Sequence, residues 1–240
     1  MARIFIEERY NAKRNEILDF AARLVYSKGY EQMTTQDLLD GLHISRGAFY
    51  HYFDSKEALL EALVERMGKA ATETIQPILQ DPDLPAIQKF QKYFEASARW
   101  KSGQKELIIG LVRSWYSDGN TLIRQRLSEK SLVQTPLILE PMIRQGIREG
   151  VFTTRFPVQA AQFITGLALT FSDTIMRRVL TPQADQAALL ESEIVLNTNF
   201  EAYFDTIERI LGAPSGSLKG IGGEALKDWL VVSPQEPASL

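Results

Sequence analysis

LHISRGAFYHYFDSKEALL, residues 42–60, holds both histidines of the chain, His43 and His51, crowded among the rings of Phe49, Tyr50, Tyr52 and Phe53. Ser45 is an N-cap residue, so a helix is expected over 45–53. At 3.6 residues per turn, Ala48, Phe49, Tyr52 and Phe53 fall on one face of it and Arg46, Gly47, Tyr50 and His51 on another. The first face suits a small core. The second presents a guanidinium, a bare backbone, a phenol and an imidazole, groups that read base edges or donate to phosphate. A zinc pair would need further ligands, and there is no cysteine and no third histidine to supply them.

The segment just upstream, TTQDLLDGL, starts with Thr34 as N-cap and Asp37 three residues on, a carboxylate variant of the capping box. A short helix over 35–42 follows, and with the next one it forms two helices joined by a tight turn, the helix-turn-helix arrangement. Before it, Ile17, Phe20, Ala21, Leu24 and Val25 form one apolar stripe on a helix over 9–28 that Gly29 stops. After it, Asp54 with Glu57 announces a helix carrying Leu59, Leu60, Leu63, Val64 and Met67, which runs to about 80 where DPDLP ends it.

Beyond residue 80 the apolar period stays helical, and the chain is expected to be all-α with about nine helices. The remaining ones are placed near 84–101, 104–117, 120–148, 157–180 and 185–212, with Pro136 and Pro141 expected to bend or break the third. The composition is that of a globular protein, 45% apolar and 24% charged over 240 residues. No run approaches the roughly 18 apolar residues of a membrane span, the start lacks the apolar core of a signal peptide, and cysteine is absent; a cytoplasmic setting and no membrane partner are expected. The net charge is −3, but residues 1–56 carry eight basic and eight acidic residues, so the acidic excess lies in the rest.

The order Ser, basic residue, Gly, apolar residue, then YHYF, SKE and an apolar pair resembles the N-terminal DNA-binding domain of the TetR (tetracycline-repressor-like) family, over roughly residues 12–66. The resemblance implies contacts from Thr34, Thr35 and the start of their helix to phosphate, from Ser45, Arg46, Gly47, Ala48 and His51 at the major groove, and from Tyr50 and Lys56 to phosphate. Two departures stand out: His43 where the family usually has Gly at the turn, and Leu39 where it usually has a small residue. A left-handed turn suits Gly and is only moderately disfavoured for His, and Gly41 offers the alternative of a turn shifted two residues back.

The resemblance further implies a domain over 1–55, a connecting helix over 56–80, and a ligand-binding and dimerisation domain over 81–212. Residues 213–240, rich in Gly, Pro and Ser, read as a tail, with one apolar island around Trp229. Phe94, Trp100, Arg113, Trp115, Tyr116, Phe163 and Phe171 are candidates for a small-molecule pocket between helices, or simply for core. Ala161, Ile164, Ala168 and Ile175, with Phe200, Tyr203 and Ile207, recur at helical spacing and are expected to pair with a second copy in a four-helix bundle, unless both stripes pack within the monomer. The expected protein is a homodimeric repressor released from a pseudo-palindromic operator by a small-molecule effector. It is not expected to be an enzyme, since no nucleophile or acid–base constellation lies outside residues 1–56, and it needs no cofactor or metal. The alternative is a helix-turn-helix adaptor or architectural DNA-binding protein without a ligand.

Overall fold

The computed structural model describes the backbone of residues 2–116, 121–181, 186–218 and 229–230, and the side chains within these of all but 2–6, 114–115, 121–123 and 186–187. Among the described residues there are nine α-helices and no strand: α1 (Ala2–Lys28), α2 (Thr35–Leu42), α3 (Arg46–Tyr50), α4 (Lys56–Gln80), α5 (Ala86–Gly103), α6 (Lys105–Trp115), α7 (Thr121–Arg148), α8 (Pro157–Leu180) and α9 (Gln186–Leu211). The all-helical reading holds. The Gly29 stop stands at φ 80, and α2 has the expected bounds.

Three expectations need correction. α3 ends at Tyr50, earlier than the 45–53 helix read from the sequence, because residues 51 and 52 form a turn. Ser55, not Asp54, caps α4, its Oγ accepting from the Ala58 N–H at 3.0 Å. α7 runs through Pro136 and Pro141 without a break, and α4 likewise through Pro77.

The chain forms two compact units, 1–71 with 104–127, and 72–103 with 128–240. This differs from the linear division at 55, 80 and 212. The physical reason is α6. Its stripe places Leu111 in the core of the first unit and Leu107 against it, beside Ile17, Val25, Phe49 and Leu63. Close approach to α1 is allowed by Gly110, where a Cβ would stand 3.0 Å from the Val25 carbonyl oxygen. Burying a side chain such as Phe49, fully enclosed here, contributes roughly 1.5–3 kcal/mol.

The second unit gathers Phe90, Leu139, Ile143, Phe152, Ile164, Ile207 and Leu211. Part of the expected tail belongs to it. The Glu208 carboxylate accepts from the Gly216 and Leu218 N–H groups at 2.7 Å each, Gln91 donates to the Ser217 carbonyl, and Leu218 is buried. Trp229 and Leu230 are buried as well, the indole N–H reaching Ser102 Oγ at 3.5 Å. Residues 219–228 and 231–240 lie outside the described residues.

Candidate nucleic-acid interface

The candidate surface is built from caps. Thr34 Oγ1 accepts from the Asp37 N–H while the Asp37 carboxylate accepts from the Thr34 N–H and hydroxyl, closing the capping box at the start of α2. At its other end His43 takes the left-handed conformation, φ 51 and ψ 44, and the Ile44 N–H closes the turn on the Leu39 carbonyl at 3.0 Å. The turn is therefore not shifted to Gly41, which stays helical; a Cβ there would run into the Phe20 ring. His43 is the sole non-glycine residue with positive φ among the described residues. Ser45 Oγ then accepts from the Ala48 N–H at 3.1 Å and starts α3.

α3 is sided as its sequence demands. Phe49 is fully buried and Phe53 nearly so, while Ser45, Arg46, Gly47, Tyr50 and His51 are exposed. Ala48 is half-buried; Thr34 is exposed and Thr35 half-buried. Tyr52, expected in the core, is half-buried and lies tilted against Tyr10 of α1, 4.8 Å between ring centres. Tyr10 also meets the His51 ring edge-on at 5.6 Å, and Arg14, one turn further along α1, lies over the Phe53 ring at 5.0 Å.

Lys56 is not simply extended into solvent. Its ammonium lies 4.2 Å from the centre of the Tyr30 ring and donates to the Glu31 carbonyl at 3.4 Å. Desolvation there pulls its pKa down, against the nearby acidic groups that raise it. Lys28 pairs with Asp37, and this pairing, followed by the Thr34 bonds, holds the Asp37 carboxyl well below the usual carboxylate range. Neither Tyr10 nor Lys28 was singled out from the sequence. Tyr10 had a signal, since it stands seven residues before Ile17 on the same stripe of α1.

Residues 17–63 match the family profile of bacterial regulatory proteins of the tetR family. Over that segment the chain is similar to the tetR family. Curated relatives include the helix-turn-helix transcriptional repressor DhaR of Mycobacterium sp. (strain GP1), 27% identical over 95 residues that cover 40% of this chain and 48% of that one. The nucleoid occlusion factor SlmA of Marinobacter nauticus is 25% identical over 188 residues, 77% of this chain and 96% of that one. The chain spans about half or less of the length of the curated relatives it matches first. A TetR-family transcriptional regulator from Pectobacterium atrosepticum has the same fold, with a TM-score of 0.61 at 20% identity over 86% of this chain and 98% of that one.

The other expected sites fare differently. Phe94 and Phe171 meet around Tyr203, at 6.1 and 4.4 Å between ring centres, with Phe200 and Phe204 completing the cluster. Arg113 and Tyr116 belong to the first unit and Trp100 to the second. Phe163 stands on the outer face of α8, 65% exposed, because residues 160, 161, 164 and 165 are the ones turned inward. The side chain of Trp115 lies outside the described residues. The stripes expected to pair with a second copy are turned inward as well. Ala161, Ile164, Ile175, Tyr203 and Ile207 are buried within the chain, and Ala168 and Phe171 pack on that core. Phe200 lies edge-on against Phe171. Helical period identifies an apolar side but not the partner that covers it.

Proposed function

We propose that this chain is a sequence-specific DNA-binding transcriptional regulator, a homodimeric repressor that leaves a pseudo-palindromic operator when a small molecule binds its second unit. The observation that carries this is the sidedness of α3: Phe49 and Phe53 anchor it while Arg46, Gly47, Tyr50 and His51 face outward. Arg46 and His51 read base edges, and Thr34, Thr35, Tyr50 and Lys56 hold phosphates; Ser45, Gly47 and Ala48 keep the backbone close to the groove.

A dimer places two such helices about 34–36 Å apart, one turn of DNA. With the first-read stripes buried, the pairing surface is the outer face of α8 and α9. Phe163 on α8 and Leu190 and Ile194 on α9 are more than half exposed. Thr170, Thr174 and Thr198 on the same two helices turn their hydroxyls onto the Gly166, Thr170 and Ile194 carbonyls, which leaves their methyl groups outward. The effector would sit among Phe94, Phe171 and Tyr203, whose phenol burial keeps protonated. It must prefer the DNA-free state by roughly 10⁴-fold to turn a 1:99 population into 99:1.

Selection of DNA from a random pool by the full chain tests the reading. A single pseudo-palindromic consensus is expected. Tyr50→Ala and Lys56→Ala then weaken binding across sequences, and Arg46→Ala also relaxes base preference; unchanged binding in all three would sink the assignment. A second reading is a helix-turn-helix adaptor or architectural DNA-binding protein with no effector, and one relative over 188 residues is named a nucleoid occlusion factor rather than a repressor. A small-molecule screen for operator release separates the two.

A further inference from the structure

Residues 51–53, the exit of α3, are held from α1. Tyr10 meets the His51 ring edge-on, 5.6 Å between centres and 82° between planes, and lies tilted against Tyr52 at 4.8 Å and 35°. Tyr52 in turn meets His51 at 5.0 Å and 80°. Arg14 covers Phe53. The His51 ring is thus flanked by two tyrosines although the residue is exposed, and its backbone is fixed by donation to the Gly47 carbonyl at 3.1 Å.

An exposed histidine on a helix end ordinarily samples several rotamers and both ring flips, and a ring that samples them discriminates bases poorly. Here the choice is narrowed from outside the helix-turn-helix. We infer that Tyr10 is a specificity-determining positioning residue: it holds the His51 imidazole in one orientation, so that a single ring edge faces the base read at that position. The inference rests on the DNA-reading role proposed above. Tyr10 does not itself touch the base; it selects the conformation in which His51 does. Edge-to-face ring pairs of this kind are worth enough to bias such an equilibrium about two- to tenfold, and that is the size of the discrimination at stake.

The test compares DNA selected from a random pool by the full-length protein and by its His51→Ala, Tyr10→Leu and Tyr10→Phe variants. His51→Ala is expected to flatten preference at one position of each half-site. Tyr10→Leu is expected to flatten the same position about two- to tenfold, leave the other positions and the salt dependence as they were, and be rescued by Tyr10→Phe. Loss of preference at every position in Tyr10→Leu, no change at all, or a Tyr10→Phe variant that behaves like Tyr10→Leu would overturn the inference. A wild-type protein that selects no consensus would instead overturn the DNA-reading role itself. Should Tyr10→Leu not fold, the free wild-type protein still decides: the His51 ring protons, assigned with His51→Ala, are expected at ring-current-shifted frequencies that Tyr10→Phe preserves. Unshifted signals averaged over rotamers would overturn the inference.

Discussion

His43 sits where a side chain is under strain. With φ 51 it occupies the left-handed region that costs an L-residue roughly 1–2 kcal/mol. His43→Gly is therefore expected to raise stability by about 1 kcal/mol, and a β-branched residue there to lower it; thermal unfolding of the two variants checks both signs. Asp37 shows a different dependence. Its folded pKa lies below the value of about 3.9 it has in the unfolded chain, so its contribution is present above that pH and is lost as pH falls through the folded value. Asp37→Asn is expected to lower the melting temperature at pH 7, and the gap from wild type is expected to narrow below about pH 4. A gap that does not change with pH would mean that geometry, not charge, holds the cap. Lys56 has two duties, since the ammonium that would meet a phosphate also rests on Tyr30, and losing it would touch both the domain and its affinity.

At the scale of elements, local signals were legible and partnerships were not. The caps Thr34, Asp37 and Ser45 marked where α2 and α3 begin, because a side-chain oxygen and a backbone N–H three residues apart form a self-contained interaction. α3 ends early in the turn at residues 51 and 52, and what meets that exit, Tyr10 and Arg14 of α1, lies far away in sequence. The same limit applies to α8 and α9, whose apolar stripes were visible while the choice between packing within one chain and pairing with a second copy was not. At Gly41 the missing Cβ makes room for the Phe20 ring, whose tip would lie 2.0 Å from it. Gly41→Ala is expected to destabilise by about 1–3 kcal/mol, and Phe20→Leu is expected to recover part of that loss in the double variant. Additive losses in a denaturant series would show that the ring is not what the glycine accommodates.

The whole molecule adds the question of pairing. If the outer face of α8 and α9 joins two copies, Ile194→Glu places a charge at its centre, and sedimentation is expected to show a monomer with operator affinity lowered at least tenfold, since one half-site no longer helps to hold the other. A dimer that survives Ile194→Glu would move the pairing surface elsewhere. The first unit, meanwhile, is assembled from two stretches, 1–71 and 104–127, with 32 residues of the other unit between them. A helix-turn-helix unit of this make cannot be exchanged by a single splice. A graft that ends within α4 would leave behind α6, and with it Leu111 and the bare backbone of Gly110 that lies against Val25. Recombination that carried only the helix-turn-helix would thus deliver it with a hole in its side, and moving this unit intact takes both of its stretches.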